Sequence, residues 1–250
     1  MFYFLLTPYL TYHFILIAAA VIPAVFLMLR VWRADRLEPE SPRLLLNLTV
    51  AGIISALLAL LSERVLSFVL DHAVAQNTVL YQALLYFVVV AVSEEGAKYF
   101  MLRRRTWRSP EFNCQYDGVV YGVFVSLGFA LWENINYVLS LGLSGALIRA
   151  VTAIPGHACF GVFMGTWYGM AKRRAAAGDE EGSKRMRTRA LLIPALLHGF
   201  YDYAASAESE AMNIVFLVFV VLMFVTAYRL VKHVSANDSY IRDYRCGIPK

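Results

Sequence analysis

Glu94, Glu95 and Lys98 in AVSEEGAKYF, Glu133 in GFALWENINYV, His157 in AIPGHACFG, and His198 and Asp202 in PALLHGFYDY are polar side chains set into apolar runs. Glutamates and histidines that converge in a closed, low-dielectric pocket suit water activation. A carboxylate takes the proton of water and a histidine or amide steadies the oxyanion. The same set could bind Zn²⁺ through His157, His198 and a carboxylate such as Glu133, with Glu94 or Glu95 as base. Both routes lead to peptide hydrolysis inside a membrane.

Spacing sharpens this picture. Glu94 and Lys98 are four apart and share a helix face. Glu95 points about 100° away from Glu94. One carboxylate is expected to pair with the lysine while the other faces a cavity. Phe129, Glu133 and Asn136 share one face of the next helix. His198 and Asp202, four apart, can touch, and a carboxylate behind an imidazole fixes its tautomer. Pro155 and Pro194 are expected to kink the two histidine helices, and broken backbone at membrane depth needs protein or a wet cavity beside it.

Each residue also has a plainer reading. Lys98 can snorkel to an interface, Glu133 can be a polar helix contact, and a lone membrane histidine is often only hydrogen-bonded. Taken together, Glu94, Glu95, Glu133, Asp202 and Lys98 carry a formal charge of −3 with neutral histidines. Low dielectric does not leave such a charge uncompensated. Each charge at mid-bilayer costs about 2.5–3.5 kcal/mol, so these residues mark a functional site by default.

The elements that must carry them follow from composition. Of 250 residues, 59% are apolar and 16% charged, against about 25% charged in an average soluble domain. This excludes intrinsic disorder and argues against a soluble domain. The net charge of +5 lies in short clusters between apolar runs, so topology explains it without a nucleic-acid partner. A bilayer core needs roughly 20 apolar residues per helix. Seven runs fit, at 11–30, 44–61, 79–101, 118–141, 145–171, 190–204 and 211–231, the sixth being short. The expectation is one all-α, polytopic membrane bundle over 1–250. Twenty of the 23 Lys and Arg fall in alternate links and at the C-terminal end, Arg64 lies in the other links, and Lys98 and Arg149 lie inside spans. The positive-inside rule puts the N-terminus outside and the C-terminus in the cytosol. The N-terminal stretch has no basic residue and is not read as a signal peptide. Cys114, Cys159 and Cys246 imply no disulfide framework. The segment KRRAAAGDEEGSKRMRTR reads as a solvated loop. Glycine at 161, 165 and 169 lets its helix pack closely on a neighbour in the same chain.

The ordered motifs Glu94-Glu95-x-x-Lys98, Phe129-x-x-x-Glu133, His157 and His198-x-x-x-Asp202, spread over residues 79–205, resemble those of the PrsW family of intramembrane proteases, distant relatives of the CAAX prenyl endopeptidases. The resemblance implies a helical protease of the cell membrane that makes a first cut in a membrane-tethered anti-sigma factor. It implies that Glu94 or Glu95 activates water, that Glu133, His157 and His198 complete the site, and that Asp202 orients His198. It leaves both a zinc and a metal-free glutamate mechanism open. The lack of an H-E-x-x-H pair favours the latter.

Other classes fit less well. Gly142-Leu143-Ser144-Gly145 matches a rhomboid G-x-S-G, but Ser144 sits where a turn is expected. Tyr116-Asp117 and Tyr201-Asp202 lack the G-x-G-D partner of presenilin-like proteases. A proton-coupled transporter would use similar buried charges, yet no inverted repeat is visible. A silent binding protein would not need the whole motif set. One tension stands. The spans as drawn separate Glu94 and Glu133 by about 10 Å along the membrane normal, and Glu133 is a support residue unless that gap closes. Arg149 is expected to anchor at the outer interface.

Overall fold

The computed structural model describes residues 2–241, with the side chains of 2–10, 12, 141, 143, 144, 146 and 147 left out. The side chains of Ser144 and Cys246 therefore lie outside the described set. The order is α1 (Phe2–Trp32), α2 (Pro42–Ala73), α3 (Val79–Leu84), a π-helical segment (Leu85–Val90), α4 (Ala91–Thr106), α5 (Asp117–Val151), α6 (Ala153–Ala176), α7 (Glu180–Ala205) and α8 (Glu210–Ala236). Among the described residues, six helical stretches are long and apolar enough to cross a membrane: His13–Trp32, Pro42–Ala73, Val79–Thr106, Asp117–Ser140, Ile148–Ala176 and Glu210–Ala236. The protein is a polytopic helical membrane bundle.

The short run at 190–204 is the C-terminal part of α7, whose first half is polar, so that helix falls outside the six. It still presents Leu192 and Leu196 on its outer surface. Two sequence expectations need correction here. The stretch read as a solvated loop is helical on both sides of a tight turn at 177–179, because α6 runs to Ala176 and Asp179 caps α7 through Gly182 N–H at 2.8 Å. Pro155 does not kink α6. It lies in the first turn, where its missing N–H would have had no helical partner anyway. Pro194 does fall inside α7.

α5 is the central pillar. Val119, Val120, Val123, Val125 and Leu127 are wholly buried, and α1, α2 and α6 pack around it. The glycine repeat of α6 finds its neighbour here. A side chain on Gly165 would collide with backbone atoms of Gly118 and Val119, and one on Gly161 with those of Gly122 and Val123. Backbone contact between α5 and α6 is therefore possible only with glycine on both sides. At the far end of α5, Gly142 breaks the helix with φ 70°, a conformation glycine adopts without steric cost. α7 packs on α6, α4 and the π-helical segment, and α8 covers α6 and α7. Leu57, Leu61 and Phe68 of α2 and Leu217, Val221 and Val225 of α8 stay exposed, as a lipid-facing surface requires.

At the basic end a carboxylate knot ties the chain together. Asp35, Glu40 and Asp117 bring carboxylate oxygens within 4.8 Å of one another. Asp117 accepts from the Asn113 and Cys114 amides at 2.9 and 2.6 Å, and Asp238, just past α8, accepts from the Tyr116 amide at 2.9 Å. Burial, then the charge of Asp117, pushes the Glu40 carboxyl from an ordinary 4.5 up to about 9.

Gly165→Leu separates α5 from α6 and destabilises the protein by about 3 kcal/mol, which thermal melting in detergent will show as a lowered midpoint. The folded chain also keeps a proton on Glu40 that the unfolded chain releases above its ordinary pKa. This contribution to stability is complete in acid and is lost as pH rises towards 9. Glu40→Gln will therefore flatten the fall in melting temperature between mildly acidic and alkaline pH. Parallel curves for variant and wild type would contradict it.

Candidate active site

The motif residues meet where α4, α5, α6 and α7 come together. Lys98 of α4 is wholly buried, and its Nζ is the hub. It donates to Glu94 Oε2 at 3.1 Å and to Glu95 Oε1 at 2.7 Å, and it lies 3.3 Å from His157 Nδ1 of α6. An ammonium has only donors, so His157 Nδ1 accepts and the proton sits on Nε2. Nε2–H then donates to Glu133 Oε2 of α5 at 2.8 Å. The ring of Phe129, one turn before Glu133, covers Lys98 with its centroid 3.8 Å from Nζ.

His198 of α7 completes the cluster. Its Nδ1 faces Glu95 Oε1 at 3.0 Å and Glu94 Oε2 at 3.8 Å, and its Nε2 faces Asp202 Oδ2 at 3.3 Å. Gly199 beside it allows close approach to Phe87 in the π-helical segment. Such segments widen a helix locally and recur at functional sites. Here one lies directly before the double glutamate.

A cleft of about 710 Å³ opens on this cluster, lined among others by Glu94, Phe129, Glu133, His157, His198 and Asp202. Glu95 and Lys98 do not line it and are wholly buried behind it.

The expected residues thus converge, with changes of detail. Lys98 binds both glutamates, not one, because its Nζ sits between them. Glu94 nevertheless reaches the cleft as well, as one of the pair was expected to. The gap between Glu94 and Glu133 is bridged rather than closed: the imidazole of His157 presents one nitrogen to Lys98 and the other to Glu133, which makes Glu133 a support of His157. Arg149, expected as an anchor at the outer interface, also pairs inward. Beyond the break at Gly142 the chain folds back, so that Arg149 meets Glu133 Oε1 at 3.1 Å and Asn134 Oδ1 at 2.9 Å, over the ring of Tyr137.

The expected metal trio of His157, His198 and Glu133 is not turned to one point. His157 directs Nε2 to Glu133, while His198 directs its nitrogens to Glu95 and Asp202. The donors that do gather within 4.8 Å of one another here are Glu94, Glu95 and His157.

Glu63 of α2 was missed altogether. It lines the cleft, because α2 continues to Ala73 instead of ending near residue 61. The signal was present in the apolar residues Val65, Leu66, Phe68 and Val69, which resume at once after Glu63-Arg64.

An all-helical membrane bundle that gathers glutamates, histidines and an aspartate around an internal cleft has the form of a membrane-embedded hydrolase. Comparison with known proteins makes this specific. Residues 40–228 match the model of the PrsW family intramembrane metalloproteases. Protease PrsW of Halalkalibacterium halodurans is 32% identical over 226 residues, covering 90% of this chain and 99% of that protein. Protease PrsW of Oceanobacillus iheyensis is 29% identical over 222 residues, covering 89% and 97%, and that of Bacillus subtilis is 30% identical over 197 residues, covering 79% and 85%. No solved structure gives a significant match. The chain belongs to the PrsW family of intramembrane proteases.

The family description raises a metal, and the donor types of Glu94, Glu95 and His157 would suit zinc. Lys98 Nζ, however, lies at 3.1, 2.7 and 3.3 Å from these same three side chains. A metal ion would have to enter a place that an ammonium already fills, and like charges at that range repel strongly. As arranged, the donors do not fit a metal.

The Arg149–Glu133 pair is only partly buried, at 17% and 24% side-chain exposure. A double-mutant cycle of Arg149→Ala and Glu133→Gln, read by melting in detergent, is expected to show a coupling of about 1–3 kcal/mol. Strictly additive effects would contradict the pairing.

Proposed function

We propose that the protein hydrolyses a peptide bond of a membrane-tethered protein with water activated by Glu94, and without a metal. The observation that carries this reading is the division of labour in the double glutamate. Glu94 reaches the cleft, while Glu95 is sealed behind it on Lys98 and His198. In the proposed step Glu94 takes a proton from water, and the water oxygen bonds to the scissile carbonyl carbon. His198 and His157 line the cleft beside this step, and the N–H of His198 Nε2, held only at 3.3 Å by Asp202, is the donor that turns to the developing oxyanion. The C–N bond then breaks as the proton passes from Glu94 to the leaving amine.

With the basic ends of the helices in the cytosol and the N-terminus outside, the cleft occupies the outer half of the membrane. Asn136, Tyr137, Arg149 and Ser206 line it on the side away from the arginine-rich ends. The substrate enters from there, and an anti-sigma factor is the class that the family resemblance implies. Residues 79–205 form the protease-like core of one membrane unit.

Glu94→Gln is expected to lower cleavage of a co-expressed membrane-tethered substrate at least about 100-fold with protein level unchanged. Glu95→Gln is expected to do so too, by releasing Lys98 and His198. Undiminished cleavage by Glu94→Gln overturns the assignment.

A further inference from the structure

The carboxylates that line the cleft are Glu63, Glu94, Glu133 and Asp202. Three of them have partners: Glu94 has Lys98, Glu133 has Arg149 and His157, and Asp202 has His198. Glu63 has neither a hydrogen bond nor an ion pair among the described residues. It is half-buried in a membrane-spanning helix, within electrostatic reach of two further carboxylates, Glu133 and Asp202.

Lys98 and His198 also lie within electrostatic reach, but none of the chain's own cations pairs with it directly among the described residues. Lys98 and Arg149 are engaged, and Arg64, about 100° further round the helix, is exposed and does not line the cleft. A carboxylate placed in a membrane span at the wall of a cavity is expected to meet a cation there. The protein supplies none in contact with Glu63, and the occupant of the cleft can.

We infer that Glu63 is a substrate-binding residue that receives a lysine or arginine side chain of the polypeptide to be cut. The inference rests on the proteolytic reading above. Leu60, Tyr86 and Trp132 line the same cleft. They offer apolar surface for the aliphatic stem of such a side chain and aromatic faces for its charge. Its arrival relieves the repulsion between Glu63 and the carboxylates of Glu133 and Asp202. Glu63 thereby sets a preference for a basic residue near the scissile bond, without touching the reacting atoms.

Binding tests this apart from turnover. The full-length Glu94→Gln protein in detergent is titrated with short acetylated, amidated leucine peptides that carry one central lysine, glutamine or glutamate. The lysine peptide is expected to bind about tenfold tighter than the glutamine peptide, the scale of one charge-assisted contact. That ratio is expected to fall with added salt. Glu63→Gln brings the ratio close to one, and Glu63→Lys turns the preference to the glutamate peptide. An unchanged ratio in both variants, or no preference for lysine at the outset, overturns the inference. The salt dependence decides the matter if a variant does not fold. In parallel, wild-type protein is reconstituted with single-span reporters that differ only in that residue. Lysine-selective binding with no reporter cut would overturn proteolysis and leave the cation site standing. Cutting that ignores the residue would overturn the role of Glu63 alone.

Discussion

The constraint on which the site depends is a single ammonium in a place without water. Lys98 is wholly buried, and its charge is balanced at once by Glu94 and Glu95 at 3.1 and 2.7 Å. Removing Lys98 would leave two buried carboxylates with no cation between them, a loss of about 3–5 kcal/mol for buried pairs broken on one side. The remaining groups are arranged around that balance. His157 must present an acceptor to Lys98, which fixes its tautomer and turns its donor to Glu133. Glu95, held by Lys98, accepts from His198, which in turn faces Asp202. One cation therefore orients two glutamates and an imidazole directly, Glu133 and His198 at one remove, and Asp202 through His198.

The fold supplies what this balance needs. Four helices must approach closely enough for 3 Å contacts between side chains at membrane depth. The glycine contacts of α5 with α6, and of α7 with the π-helical segment, allow the approach. Gly142 lets the chain turn back so that Arg149 can hold Glu133 from the open side. Stiffness here has a chemical purpose. Polar groups fixed in a low-dielectric site need little reorganisation when charge develops during a reaction.

Much of this was legible in the sequence because membrane physics makes charges conspicuous. Glu94, Glu95, Lys98, Glu133, His157, His198 and Asp202 stand out against apolar neighbours, and the i, i+4 spacing of His198 and Asp202 gave their contact directly. What stayed hidden depended on tertiary geometry or on where helices end. Periodicity shows that Glu94 and Lys98 share a face. It does not show that Nζ lies between two carboxylates and an imidazole from another helix. The depth gap assigned to Glu133 ignored the length of the imidazole that bridges it. The inward pairing of Arg149 stayed hidden because the fold-back after Gly142 brings together residues 16 apart. Glu63 vanished with the early end given to α2, since charged residues in series read as a loop even where the helix continues.

The central claim is that Lys98 serves as the site's cation in the place where a metal would otherwise lie. The most direct measurement is the metal content of purified, proteolytically active protein together with its activity after chelation. The account predicts well under one metal ion per chain and activity unchanged by the chelator. About one equivalent of zinc, with activity lost on chelation and restored by zinc, would contradict it.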